Sequence, residues 1–269
     1  MNRYFALAGL TFAVCAMAIA QENTGDRVVV PARNTSRPRV VNVALTNGSI
    51  TVKTHAAKEV IVETAAGTRR GRQAPERTPD GLHRIDLPSR GLVVEEEDNT
   101  ITVRTVMPSG NEVTVSVPPD TSLQLKSTNG SITVSGVTGD IEANTMNGHV
   151  TLDHVSGTVV TDSHNGPVKV VMDRVTAGKP ISFSSFNGDI DVTLPADFKA
   201  NLKLRAARGD IYSDFEIQLQ PGQVMTEKND SPEGRFRVRL DRSISGTING
   251  GGTDATFSTY NGKILIRKK

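Results

Sequence analysis

The sequence predicts an all-β fold, a single-stranded β-solenoid (β-helix) with about 18–22 residues per coil and very little helix outside the N-terminal leader. Three observations support this prediction: glycines nine residues apart, Asn-Gly pairs that recur at 18 residues, and no convincing helical period after the leader. The evenly spaced glycines are Gly130, Gly139, Gly148, Gly157 and Gly166. A fixed period with one turn and one short strand per unit is typical of a solenoid.

The first twenty residues have the pattern of a secretory signal peptide. A single cation, Arg3, precedes an apolar run from Tyr4 to Ala20 that closes on small residues. We expect cleavage after Ala20 and export to the periplasm, the cell surface or the medium. One alternative is retention of the run as a membrane anchor, because its length is at the lower limit for a spanning helix. A lipoprotein processed at Cys15 is disfavoured, because Phe12-Ala13-Val14 lacks the usual leucine and small-residue spacing.

The composition excludes several classes of function. Cys15 is the only cysteine, so the mature chain has no disulfide, thiol nucleophile or cysteine metal site. The net charge of +2 falls to +1 when the leader with Arg3 is removed, which gives no argument for a nucleic-acid partner. No further apolar run reaches spanning length, so we expect the cleaved protein not to be an integral membrane protein.

Within each nine-residue unit, apolar and polar residues alternate as in a strand with one buried face. The predicted inward positions lie two and four residues after the glycine: Ile132, Ile141, Val150, Val159 and Val168, then Val134, Ala143, Leu152, Thr161 and Val170. Nine residues are too few to close a coil around a core. Two units therefore form one flattened coil with two strands and two turns.

This pairing predicts two kinds of corner, stacked on opposite edges. Asn129-Gly130, Asn147-Gly148 and Asn165-Gly166 form one edge, and Gly139 and Gly157 form the other. We expect Asn and Gly there because both accept positive φ at low cost. The phrase recurs at Asn47-Gly48, Asn187-Gly188, Gly209 and Asn261-Gly262, so the coils are expected to stack in one elongated domain. A meander of ordinary hairpins is the alternative, since Asn-Gly is also a hairpin signal, but it does not require equal spacing.

The predicted domains are a signal peptide at 1–20, a lead-in at 21–39 and the solenoid at 40–269. Two polar, Pro- and Gly-containing excursions interrupt it, at 65–90 and 220–234, and Gly250-Gly251-Gly252 marks a turned corner. Because the fold accounts for the repeated glycines, we expect a binding site where the repeat fails, at these two excursions.

Two parts of the chain carry a resemblance to a known family. The closing segments Ser245–Gly252 and Ser258–Lys268 are distinctive, as is the lead from Val117-Pro118-Pro119 into Leu123–Gly130. With these segments the chain resembles the putative-adhesin (LiaG-like) family of bacterial exported β-strand-repeat proteins, a domain of unknown function. The resemblance runs from about Val40 to the end. It implies a β-helical fold and an envelope location, and it supplies no catalytic residues.

Metal binding is not expected. Nonapeptide β-rolls of the same period bind calcium through Gly-Gly-x-Gly-x-Asp turns, whereas these corners have single glycines and Asp only at Asp140, Asp189 and Asp210. The nearby His149, His154 and His164 occupy different positions relative to the glycines, so they need not converge as a metal site requires. We predict no metal and no cofactor.

Four further motifs are candidate sites. Asp189 and Asp191 lie about 7 Å apart on one strand face, a carboxylate pair that could suit glycoside hydrolysis, but such alternation also describes any solvated strand. Sugar-gripping proteins favour aromatic platforms, and the chain has no Trp. Arg208-Gly209-Asp210 spells a cell-attachment tripeptide, yet Gly209-Asp210 is the repeat corner itself. The acidic run 95–98 and the basic tail 267–269 are expected to be solvated ends, the tail also discouraging edge pairing.

The sequence thus predicts a non-enzymatic, exported, adhesin-like interaction or structural protein of the bacterial cell envelope. Its partner is unknown; an envelope or surface protein and a glycan are the candidates. The alternative is a β-helix protein that binds or cleaves cell-envelope polysaccharide.

Overall fold

The computed structural model describes residues 27–32, 37–65, 92–105, 112–220 and 243–269. All regular secondary structure in these segments is β-strand, and none of them contains a helix long and apolar enough to cross a membrane. The predicted signal peptide and nearly all of the two excursions lie outside the described residues. The strands are β1 (Arg27–Val30), β2 (Val40–Asn47), β3 (Ile50–Thr54), β4 (Val60–Ala65), β5 (Leu92–Glu97), β6 (Thr100–Thr105), β7 (Glu112–Val117), β8 (Ser122–Asn129), β9 (Ile132–Ser135), β10 (Ile141–Asn147), β11 (Val150–Gly157), β12 (Val159–Asn165), β13 (Val168–Val175), β14 (Ile181–Asn187), β15 (Ile190–Leu194), β16 (Ala200–Arg208), β17 (Ile211–Ser213), β18 (Gln218–Leu219), β19 (Ser243–Ile248), β20 (Thr253–Asn261) and β21 (Ile264–Lys268).

The described strands form two mixed sheets, one of ten strands and one of eleven. Between residues 122 and 194 successive strands alternate between the sheets, and each pairs in parallel with the strand of the next repeat. Ile141 pairs with Leu123 and Val159, an offset of 18 residues, and Val168 pairs with Ile190 after the insertion at 176–180. The all-β prediction is therefore confirmed, with parallel neighbours at the predicted repeat length.

The core lies between the two sheets and is built almost entirely from aliphatic side chains. Every predicted inward position is buried, including Thr161, which is only 1% exposed. Two phenylalanines add aromatic volume to this core. Phe183 and Phe257 are fully buried, and their ring centroids are 5.1 Å apart. This burial supplies the main driving force for folding, because a sequence with a single cysteine forms no disulfide within the chain.

The strands do not stack in sequence order, which corrects the expectation of one simple winding. At the C-terminal end, β20 lies between β14 and β16, and β21 lies between β15 and β17. At the N-terminal end, β2 and β3 lie inside β6 and β7, and β8 and β9 stack on their other side. The last strands of the chain are thus internal, although β17 pairs with β21 only as far as Ile266, so Arg267 and Lys268 extend beyond β17 on that side.

Antiparallel strands occur only toward the ends of the described sheets. β1, β4 and β7 pair antiparallel at one end, as do β5 and β6, and β16, β19 and β18 at the other. The lead-in at 21–39 therefore contributes a strand, β1, to the ten-stranded sheet. These added strands leave short edges, which limits pairing with other chains.

The Asn-Gly corners stack into a continuous ladder of side-chain amides. Each Asn after the first donates through Nδ2 to Oδ1 of the Asn in the adjacent coil, over 2.7–2.9 Å. In spatial order the ladder contains Asn47, Asn129, Asn147, Asn165, Asn187 and Asn261. None of these asparagines has a positive φ, so the conformational reason proposed for them is wrong. They occupy the corner because a short amide can both donate and accept along the stack.

The glycines of the same corners are required by close backbone packing. A Cβ on Gly130 would lie 1.8 Å from the carbonyl oxygen of Gly48, although the φ of Gly130 is not positive. Gly148, Gly166, Gly188, Gly262 and Gly209 meet the preceding corner in the same way, at 1.9–2.3 Å. On the opposite edge, Gly139 approaches the carbonyl oxygen of Thr121, and Gly157 that of Gly139.

The central position of the ladder gives a first testable result. Asn147→Ala removes the bond that Asn147 donates to Asn129 and the bond it accepts from Asn165. Because these groups are exposed, water replaces part of the loss, and we expect a destabilisation of about 1 kcal/mol. Asn261→Ala removes only the bond to Asn187 and should cost less. Urea unfolding of both variants measures the difference. Equal losses would contradict the dependence on the number of bonds removed, and negligible losses would show that the ladder contributes nothing to stability.

Candidate functional site

The residue before each ladder asparagine points outward and forms a row across the eleven-stranded sheet. The last three members of this row are stacked rings, His164, Phe186 and Tyr260, which we call the aromatic stripe. The His164 and Phe186 centroids are 4.8 Å apart with planes 5° apart, and those of Phe186 and Tyr260 are 4.9 Å apart at 1°. Met146 precedes His164 in the row, and the Arg208 guanidinium lies 5.3 Å from the Tyr260 ring centroid.

The stripe is exposed, although two of its three rings, Phe186 and Tyr260, are large hydrophobic side chains. Phe186 is 42% exposed and Tyr260 40%, and the neighbouring Met146 is 54% exposed. The stacking covers ring faces within the row, so solvent meets mainly the ring edges. A contiguous exposed apolar surface of this kind usually marks a contact site for another molecule.

Buried hydrogen bonds hold the row in place from beneath. Two residues before each of five ladder asparagines stands a buried Ser or Thr, whose hydroxyl donates to the corner glycine of the adjacent coil over 2.9–3.1 Å. These residues are Ser127, Thr145, Ser163, Ser185 and Thr259. Each stripe residue therefore lies between two anchored neighbours, which keeps the rings in a fixed position.

A shallow groove of about 550 Å³ continues from the His164 end of the stripe. The surface is recessed at the groove because the row there contains the small side chains of Thr46 and Thr128. Its polar lining includes Lys126, Asn144 and Asp162, and Met146 and His164 form the side nearest the stripe. The stripe and the groove together offer adjacent apolar and polar surfaces on one sheet.

The structure separates the three candidate histidines. His149 Nδ1 lies 2.8 Å from Ser131 Oγ, His154 Nδ1 lies 3.0 Å from Asp173 Oδ1, and His164 belongs to the stripe. No group of three potential metal-binding side chains comes together within the described segments. Of the three, only His164 lies at the candidate site.

The candidate carboxylates are engaged by the scaffold on the other sheet. Asp189 Oδ1 accepts a hydrogen bond from the Lys263 backbone over 2.7 Å, and Asp191 pairs with Arg267 Nε at 2.7 Å. Asp191 and Arg267 lie on the paired strands β15 and β21, and Asp189 and Lys263 directly precede these strands. The pair proposed for glycoside hydrolysis is therefore away from the groove and used in strand pairing.

The basic tail and the Arg-Gly-Asp tripeptide also have structural partners. Lys269 Nζ and His154 both contact Asp173, and the hydrogen bond from Lys269, assisted by His154, lowers the pKa of Asp173 below its ordinary value. Gly209 packs against the backbone of Gly262, and the Asp210 carbonyl accepts from Ile264 N. Tail and tripeptide alike thus help to join the C-terminal strands to the sheets.

Comparison with protein families identifies the fold family of this chain. The family model described as Toastrack DUF4097 matches residues 16–249, well over half of the sequence. The chain belongs to the Toastrack family. Two solved structures are similar to it: one described as a putative cell adhesion protein from Clostridium sporogenes (12% identity, 91% of this chain and 100% of that one, TM-score 0.39), the other as a putative adhesin from Bacteroides fragilis (13% identity, 91% and 97%, TM-score 0.39). No curated protein matches the chain.

In this Toastrack chain, the site residues that the sequence reasoning missed stand directly before the repeated Asn-Gly. Residue identities recur at the glycine and at the positions after it, so the visible repeat lies there. The preceding position is occupied by Thr46, Thr128, Met146, His164, Phe186 and Tyr260, which share no chemistry in sequence. Aligning the chain on the buried Ser or Thr and the Asn that flank this position would have revealed the row.

Proposed function

We propose that this Toastrack chain is an exported, non-enzymatic, adhesin-like protein of the bacterial cell envelope that binds a surface protein through the aromatic stripe. Its scaffold is a single-stranded β-solenoid with about 18–22 residues per coil, to which end strands are added out of sequence order. The observation that carries the proposal is the exposed stack of His164, Phe186 and Tyr260 on a hydrogen-bonded, rigid ladder.

Several features support a protein partner. Aromatic residues and Met are enriched in protein interfaces, and charged groups are depleted at their centres. The stripe has this composition, with Arg208 at one end and polar groove residues at the other. A rigid stripe also loses little conformational entropy on binding, which favours affinity.

A glycan is the second candidate, and the groove favours it. Lys126, Asn144 and Asp162 present both donors and acceptors along a volume of about 550 Å³. Flat stacking of a sugar on the stripe is less favourable, because the neighbouring rings of the stack already cover ring faces. A cleaving enzyme has less support, since the candidate pair Asp189 and Asp191 is engaged in strand contacts away from the groove.

Removal of the stripe should abolish adhesion. Beads coated with the mature protein should adhere to cells of a bacterium that produces it, and Phe186→Ser with Tyr260→Ser should reduce adhesion about tenfold or more. Tyr212→Ser is the matched control, because Tyr212 is a 51% exposed aromatic residue on the other sheet. Bead counts by flow cytometry measure the effect.

Treatment of the cells separates the two candidates. Protease treatment should remove adhesion if the partner is a protein, whereas periodate oxidation should remove it if the partner is a glycan. Adhesion that is equal for the stripe variant and Tyr212→Ser would contradict binding through the aromatic stripe.

A further inference from the structure

A second cavity lies at the corner opposite the Asn ladder, near the N-terminal end of the sheets. It has a volume of about 300 Å³ and is lined by Ala32, Arg37 and Arg39 before β2, by the turn after β3 and by the turn after β7. Among the residues that the structure describes, its charged lining consists of Arg37, Arg39, Lys58 and Asp120. Alanines and prolines complete the wall: Ala32, Ala56, Ala57, Pro118 and Pro119.

Arg39 is the unusual member of this group because it is buried, at 7% exposure. Its Nη1 donates to the Lys58 carbonyl oxygen over 2.8 Å, and it forms no ion pair with any residue that the structure describes. A guanidinium has five N–H donors and keeps its charge at all physiological pH values. A buried cation without a carboxylate is costly unless something compensates for it, and because Arg39 lines this cavity, a ligand bound there could provide the compensation.

The walls of the cavity are held by backbone contacts. Ser122 N donates to the Arg39 carbonyl over 2.8 Å, and Asn99 Nδ2 donates to the Arg37 carbonyl over 3.0 Å. On the opposite wall, Thr138 donates to the Pro119 carbonyl through both its backbone N and its Oγ1. The cationic side chains therefore extend from a preformed frame, as an effective binding site requires.

We propose that this cavity is a binding site for a phosphate group carried by a small sugar or polyol. Three cations and one carboxylate leave two positive charges, which matches the charge of a phosphate monoester near pH 7 better than that of a single carboxylate. The Arg39 guanidinium offers paired donors to phosphate oxygens, and Lys58 adds a point charge. The volume accommodates the phosphate and one attached ring. The site is separate from the aromatic stripe and does not depend on its function.

Isothermal titration calorimetry of the mature protein at low salt tests the site with three probes of similar size. Glucose 6-phosphate should bind saturably with a Kd of about 1 mM or tighter, glucose should not bind, and glucuronate should bind about tenfold more weakly. Arg37 and Lys58, which are exposed, are the residues to substitute. Arg39 is not substituted, because it also donates a hydrogen bond to the Lys58 carbonyl oxygen and its replacement would disturb the cavity wall.

Variants with opposite expected effects sharpen the test. Arg37→Gln and Lys58→Gln should each weaken binding of glucose 6-phosphate severalfold, and Asp120→Asn should strengthen it by removing the opposing charge. Lys169→Gln, an exposed lysine on β13, is the matched control and should leave binding unchanged. Absence of saturable binding would overturn the proposal, as would equal weakening by Lys169→Gln and Lys58→Gln. Equal affinity for glucuronate would overturn the assignment to phosphate.

Discussion

A chain that ends at Gly252 should lose its cooperative unfolding transition altogether. The missing strands β20 and β21 are the C-terminal strands, yet each pairs with a strand on both sides. Their loss removes the buried Phe257, Ile264 and Ile266, worth about 2 kcal/mol each, and breaks four strand-to-strand ladders. The total approaches the whole stability of a typical domain, about 5–15 kcal/mol.

Truncation at the other terminus provides the control. A chain that begins at Pro31 lacks β1, which among the described strands pairs only with β4. It should still unfold cooperatively with a modestly lower midpoint, because β1 contributes one described strand pairing where β20 and β21 contribute four. Circular dichroism during urea unfolding compares the two. A synthetic peptide of residues 253–269, added to the shortened chain, should restore the transition. An unchanged midpoint in the chain ending at Gly252 would contradict the observed strand order.

The regular part of the fold could be predicted because its contacts are local in sequence. Partners such as Ile132 and Val150 are 18 residues apart, so the pairing appears directly as a period. The strand order at the ends could not be predicted in this way, since Ile190 pairs with Ile264 across a long stretch of chain. Sequence identity did mark one such contact: the phrase beginning at Asn47 repeats that beginning at Asn129, and the two lie side by side.

The candidate site was less predictable than the fold for a physical reason. A repeat is visible where the structure allows only one type of residue, as at Gly130, where no Cβ fits. An outward position tolerates many side chains, so Met146, His164 and Phe186 form a row without forming a pattern. The absence of Trp argued against a sugar-gripping aromatic platform, but composition does not show that register brings three rings together.

Gly130→Ala should be among the most destabilising single substitutions of a small residue in this protein. The added Cβ would lie 1.8 Å from the Gly48 carbonyl oxygen and 2.4 Å from its carbon, both backbone atoms that cannot rotate away. Relief requires separating two adjacent coils, which stretches the corner ladder at Asn47 and Asn129 and moves the buried Ser127 hydroxyl from its partner. We expect a loss of about 3 kcal/mol, typical of a core forced to accept extra volume.

Gly178→Ala separates this packing effect from the conformational freedom of glycine. Gly178 has a φ of 76°, which disfavours any L side chain, but a Cβ there has no neighbour within 4 Å. Its substitution should cost about 1 kcal/mol, partly offset by the lower entropy of the unfolded chain. Urea unfolding of both variants gives the comparison. We expect Gly130→Ala to be the more destabilising, because its Cβ would collide with the backbone of Gly48. A larger loss for Gly178→Ala would show that this fold needs glycine for its positive φ and not for close packing of the coils.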